Sequence, residues 1–123
     1  GDTSPYIQYT HARASRILEK SGRTPTIDVD FTLLKEKSEL DLIKNIGLFN
    51  LQVRDAANNL SPKVIARYCY DLAVSFNSFY EKSKVLDLGD ESLENSRLCL
   101  VNSFKIVLEK ALDLLGIQAP DRM

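Results

Sequence analysis

The chain has 123 residues, of which 44% are apolar and 27% charged, the balance of one ordinary globular domain. No apolar run approaches the roughly 18 residues of a membrane span, and nothing at the N-terminus reads as a signal peptide. One histidine and two cysteines, Cys69 and Cys99, argue against His-based metal sites and against a disulfide framework, and they fit a reducing cytosol.

The net charge of −1, taken alone, argues against nucleic acid as a partner. Its distribution is uneven. Residues 1–23 hold Arg13, Arg16, Lys20 and Arg23 against Asp2 and Glu19, whereas residues 28–41 hold Asp28, Asp30, Glu36, Glu39 and Asp41 against Lys35 and Lys37.

Helical signals dominate in chain order. Ser4-Pro5 predicts a helix start with Ser4 as the cap, and the helix runs to about Lys20, where Gly22 ends it. At 100° per residue Ile7, His11, Ala14 and Leu18 share one face, and Tyr6, Tyr9, Arg13, Arg16 and Lys20 share the opposite one. Residues 21–34 read as an ordered connector, because the strand-like alternation of 26–32 has no other strand to pair with. From Glu36 the apolar pattern Leu40, Ile43, Ile46 predicts a helix that Gly47 interrupts, and Phe49, Val53, Ala56, Ala57 and Leu60 continue on a shorter one.

Ser61-Pro62 repeats the start signal and opens a long helix to about Ser83, with Ile65, Tyr68, Cys69, Leu72, Phe76 and Phe79 as its core face. A second stripe of Ala66, Tyr70, Ala73, Asn77 and Tyr80 beside it makes this helix central to a bundle. Val85–Gly89 is a loop. Glu91 or Ser92 opens a last helix whose face is Leu93, Leu100, Phe104, Val107, Leu108, Ala111 and Leu115, and Gly116 ends it before a short tail, 117–123. The expectation is an all-α bundle of about five helices forming one domain over 1–123.

The chemistry of catalysis is sparse. Five scattered glycines match no phosphate-binding loop, no Ser or Cys sits in a nucleophile motif, and the carboxylates fall on exposed faces or in the connector. His11, in line with Ile7, Ala14 and Leu18, reads as a hydrogen-bonded core histidine rather than a base or ligand. These observations describe a binding module.

The segment Pro5-Tyr6-Ile7-Gln8-Tyr9-Thr10-His11-Ala12-Arg13 resembles the P-Y-x-Q-Y-x-H-A-R block that opens the C-terminal helical domain of arginyl-tRNA synthetases. Leu72-Ala73 with Phe76-Asn77-Ser78-Phe79-Tyr80 and Val85-Leu86 resembles the central helix of that family's anticodon-binding (DALR-type) domain. The ending Ala111-Leu112-Asp113-Leu114-Leu115-Gly116-Ile117, with Pro120, Arg122 and Met123, is similar to the family's C-terminus. The three blocks span nearly the whole chain. Ser4 departs from the family's usual glycine before the proline.

The resemblance implies an anticodon-binding domain of the class I synthetase type that helps recognise tRNA, in an otherwise larger enzyme. Neither the H-I-G-H nor the K-M-S-K type signature of the catalytic domain occurs here, so ATP and arginine would bind elsewhere in that parent. The implied partners are the tRNA anticodon loop and stem and the catalytic domain of the same enzyme. The implied state is a cytoplasmic monomer with no membrane contact, metal or cofactor of its own.

Candidate tRNA-contacting residues are Tyr6, Tyr9, Arg13, Arg16 and Lys20, where unpaired bases could stack on aromatics while cations follow phosphates. The resemblance adds Tyr80 as a stacking residue and Arg122 and Met123 as tail residues that reach the anticodon loop. Asn77 is placed beside Tyr80 and reads as a helix-contact residue. The alternative for this face of the first helix is a solvated amphipathic surface whose tyrosines pack on a neighbouring helix, and Arg13 could instead pair with an acidic residue. The rival reading of the whole chain is a stand-alone α-helical protein–protein interaction module, supported by its acidic middle segment.

Overall fold

Proline and glycine punctuate the helices. The computed structural model describes residues 3–59 and 61–123, with side chains outside 55–57 and 59. It contains α1 (Ser4–Ser21), α2 (Lys37–Gly47), α3 (Phe49–Asn59), α4 (Pro62–Lys82) and α5 (Glu91–Leu114), with a single 3-10 turn at Phe31–Leu33. No strand occurs among the described residues. Leu60 and the Ala56 and Ala57 side chains, expected on the face of α3, lie outside the described residues, as does Asp2.

The cap of α1 is Thr3 rather than Ser4, and its side chain makes no capping bond. Pro5 fits all the same, because the first-turn N–H it lacks would have no helical partner. Gly22, at φ 64°, takes the left-handed conformation that closes α1. At α5 the Asp90 side chain accepts from Leu93 N at 3.1 Å, and Glu91 and Glu94 in the first turn favour the positive end of the helix dipole. The other end of α5 is a Schellman closure: Gly116 N donates to Asp113 O and Ile117 N to Leu112 O, both at 3.0 Å.

Helix α4 touches each of the other four helices. Its expected core face is buried throughout, and Leu72, Phe76 and Phe79 meet Leu100, Phe104 and Leu108 of α5 in one cluster. Phe76 and Phe104 stack with ring centroids 4.2 Å apart.

Helix α2 departs from the periodicity reading. Its buried residues are Ser38, Glu39 and Leu42, while Leu40 is 51% exposed and Ile43 is also exposed. Glu39 decides the orientation. Its carboxylate closes a capping box on Glu36 N at 3.0 Å and pairs with Arg97 of α5 at 2.8 Å, so the helix turns this residue inward and Leu40 and Ile43 outward. The expectation that the carboxylates sit on exposed faces is corrected at the same point, because Glu39 is fully buried.

The stretch between α1 and α2 is a connector, with Ile27 84% exposed. Arg23 bonds Glu94 and Asn95 at 2.8 and 3.0 Å, Ser96 Oγ donates to Asp30 O at 2.9 Å, and Leu34 is buried. The connector is thereby fixed along α5.

Candidate nucleic-acid interface

Helices α1 and α4 run side by side in the same direction. Tyr6 meets Tyr70 edge to face at 5.7 Å. Further along, Thr10 and Arg13 meet Asn77, Arg13 meets Tyr80, and Lys20 shares a cleft with Lys84. The outer edge of this seam carries the predicted stripe.

Asn77 holds the seam together. Its Oδ1 accepts from Arg13 Nη1 at 2.7 Å, and its Nδ2 donates to Tyr6 Oη at 2.8 Å and Thr10 Oγ1 at 3.0 Å. Thr10 Oγ1 in turn donates to Tyr6 O at 2.9 Å. The fixed guanidinium of Arg13 lies 4.3 Å from the Tyr80 ring centroid and 5.3 Å from that of Tyr9. Arg16 lies 5.5 Å from the same Tyr9 ring. Arg13 therefore has an amide and two aromatic faces as partners, rather than the acidic residue that the alternative reading gave it. Among the described residues no carboxylate lies within ion-pair distance of Arg13, Arg16 or Lys20. Tyr9 and Tyr80 are 44% and 41% exposed.

Beyond Tyr80 a cleft of about 700 Å³ opens between the end of α1 and the loop after α4, where Lys20, Lys82 and Lys84 line it together with Tyr80 and the carboxylates of Glu81 and Asp87. Sequence reasoning did not single out Lys82 and Lys84. Their signal was their place, two and four residues past Tyr80 where the helix stops.

The tail lies on the other side of α1. Gln8 Nε2 donates to Gln118 O at 2.9 Å, His11 Nδ1 lies 2.6 Å from Pro120 O, and Ser15 Oγ donates to Asp121 Oδ1 at 2.9 Å. His11 is fully buried, and its Nε2 lies 2.8 Å from Glu109 Oε1. Arg122 reaches Glu19 at 3.4 Å between exposed side chains, and Met123 is exposed. The tail residues thus do not join the Tyr80 cluster. Arg122 sits about 60° further round α1 from Arg16, at the level of Glu19.

Among the described residues one place has ligand-like geometry for a metal: atoms of His11, Glu109 and Asp121 lie within 4.8 Å of one another. Lys105 Nζ already sits 2.8 Å from Glu109 and 3.8 Å from Asp121, and both His11 nitrogens face acceptors. A cation is thus supplied by the protein itself. Partial burial raises the Glu109 pKa, but hydrogen bonds from Lys105 and His11 outweigh it and hold the carboxyl below its ordinary value. Cys69 is a core residue whose thiol burial pushes up to about 11, so it is protonated and unreactive at neutral pH.

Comparison with known proteins agrees with the fold. The sequence is 41% identical over its whole length to the arginine–tRNA ligase of Clostridium botulinum, of which it spans 22%. It is 45% identical over 98% of its length to the arginine–tRNA ligase of Methanosarcina barkeri, again spanning 22% of that protein. The structure superposes over all of this chain and 21% of the Thermus thermophilus arginyl-tRNA synthetase, with a TM-score of 0.89 and 38% identity. The chain therefore covers about a fifth of the length of these relatives. Residues 7–123 match the family described as the DALR anticodon binding domain, and the chain belongs to that family.

Proposed function

We propose that the chain binds the anticodon loop of a tRNA as one part of an arginine–tRNA ligase. In this reading ATP and arginine are handled by a catalytic domain elsewhere in that enzyme. The chain contributes recognition with no metal or cofactor of its own, as a cytoplasmic monomer. Among the described residues no helix is long and apolar enough to cross a membrane.

The observation that carries the reading is the unneutralised cationic and aromatic edge of the α1–α4 seam. Arg13 is held by Asn77 against Tyr80, and Tyr9 and Tyr80 remain exposed beside it. Unpaired bases stack on such rings and on guanidinium planes. Arg16 and Lys20 follow at intervals of three and four residues, so they lie on one line along the helix where a backbone of phosphates passes. The cleft beside Tyr80, with Lys82 and Lys84 on its rim, has room for a splayed base.

The test is binding of tRNA and of an anticodon-loop variant by the wild-type chain and Tyr80→Ala. The substitution is expected to cost roughly 1–3 kcal/mol of binding, the worth of a base stack, and to reduce discrimination between the two RNAs. Wild-type affinity is expected to fall steeply with salt, as counterion release requires. Tyr80→Ala that binds like wild type with its fold intact would make Tyr80 a bundle residue. Salt-independent capture of a protein partner, with no tRNA binding, would favour the interaction-module reading.

A further inference from the structure

The tail is fastened to α1 by three groups that lie on one stripe. Gln8, His11 and Ser15 are spaced three and four residues apart, and their partners are Gln118, Pro120 and Asp121 in the same order. The lengths agree. Seven helical residues rise about 10 Å, and three extended residues span about the same distance. The tail therefore runs along α1 as a second, extended strand of chain, and its next residue, Arg122, meets Glu19 on the following turn.

His11 is the middle anchor, fully buried, and its hydrogen bonding fixes its protonation. Nδ1 faces the Pro120 carbonyl oxygen, which can only accept, so Nδ1 carries a proton. Nε2 faces Glu109 Oε1. That carboxyl also accepts from Lys105 at 2.8 Å, and its hydrogen bonds favour the ionised, acceptor-only form. The ring thus bridges the tail on one side and α5 on the other. The other charged groups around it are Lys105 on α5, Asp121 on the tail and, further along α1, Glu19.

We propose that His11 is a positioning residue: its ring fastens the tail across α1 and α5, and so places Arg122 near the Arg16–Lys20 end of the tRNA-binding edge. The inference rests on the tRNA reading above for its purpose, but the latch itself is measured without RNA.

The experiment compares the wild-type chain, His11→Gln, a chain ending at Ile117, and the truncated chain carrying His11→Gln. The backbone amides of Ala119, Asp121, Arg122 and Met123 report tail order by nitrogen-15 relaxation. They are expected to be ordered in wild type and flexible in His11→Gln. Affinity for tRNA is expected to fall about tenfold in His11→Gln. The same substitution in the truncated chain should change it by less than about twofold, because a latch without a tail holds nothing. A tail as ordered in His11→Gln as in wild type overturns the latch. An equal loss of affinity in the truncated chain also overturns it, since His11 would then act through the bundle alone. Absence of tRNA binding by the wild-type chain overturns the functional reading and the purpose given to the latch, and the relaxation data separate that outcome from failure of the latch itself.

Discussion

Around Glu39 and Arg97 charges cancel inside the fold, and along the α1–α4 seam they do not. Arg97 Nε sits 2.8 Å from Glu39 Oε2 with side chains only 12% and 1% exposed. A second guanidinium nitrogen donates to Lys84 O at 2.7 Å, and the other Glu39 oxygen accepts from Glu36 N. The pair joins α2, α5 and the loop after α4. The seam offers Arg13, Arg16 and Lys20 with aromatic neighbours instead of acids. A near-zero net charge thus conceals two different uses of arginine. One is neutralised and architectural, the other is left available to a partner. The two regions are also connected, since Arg97 holds the backbone of Lys84, whose side chain lines the cleft beside Tyr80.

Breaking the neutralised region has the largest expected effect. Arg97→Ala leaves Glu39 buried without a counter-charge and is expected to cost about 3–5 kcal/mol in urea or thermal unfolding. Replacing both partners together, Glu39→Leu with Arg97→Met, is expected to recover most of that loss, because no charge is then stranded in the interior. If Arg97→Ala unfolds like wild type, water already reaches the pair and the contrast between the two regions fails.

The seam's own fastening gives an intermediate effect. Asn77→Ala removes the partner of Arg13 Nη1, Tyr6 Oη and Thr10 Oγ1 at once. A stability loss of about 1–2 kcal/mol is expected, below that for Arg97 because Asn77 is partly exposed and water can replace some bonds. Binding of tRNA is expected to weaken as well, since Arg13 is no longer held against Tyr80. Loss of stability with unchanged binding would show that the held geometry of Arg13 contributes nothing to recognition.

The contrast also marks what a linear sequence discloses. Helix α4 was legible with its core face because Leu72, Phe76 and Phe79 repeat at helical spacing and nothing competes with burying them. Helix α5 was legible in part: Leu100, Phe104 and Leu108 are core as expected, but Leu98, Cys99, Val101 and Leu112 are buried as well, outside the expected face. The face of α2 was not legible. Leu40 and Ile43 satisfy the same periodicity, but the orientation follows from a charge pair between residues 58 apart in sequence. The Tyr9–Arg13–Arg16–Lys20 stripe could be read from spacing alone. The network on Asn77, the cleft lysines and the partners of His11 could not, since each depends on residues that only the packing of α1 against α4 and α5 brings together. His11 itself was read as a hydrogen-bonded core residue, which is how it stands, while its partners lie 98 and 109 residues away.

The smallest expected change in stability tests the open region most directly. Arg16 lies on the edge of the seam with the Tyr9 ring 5.5 Å away. An exposed contact of this kind is worth about 0.5–1 kcal/mol at most, and surface substitutions usually fall within about 0.5 kcal/mol. Arg16→Ala is therefore expected to unfold almost as wild type does. Its effect on binding is of another kind. Removing one phosphate contact should weaken binding uniformly to tRNA and to anticodon-loop variants, and should reduce the slope of log affinity against log salt by about one. Tyr80→Ala should reverse that pattern, lowering discrimination while leaving the salt slope nearly intact, because a base stack releases no counterions. If instead Arg16→Ala costs more than about 1 kcal/mol of stability and leaves the salt slope unchanged, Arg16 belongs with Arg97 among the residues that hold the bundle together.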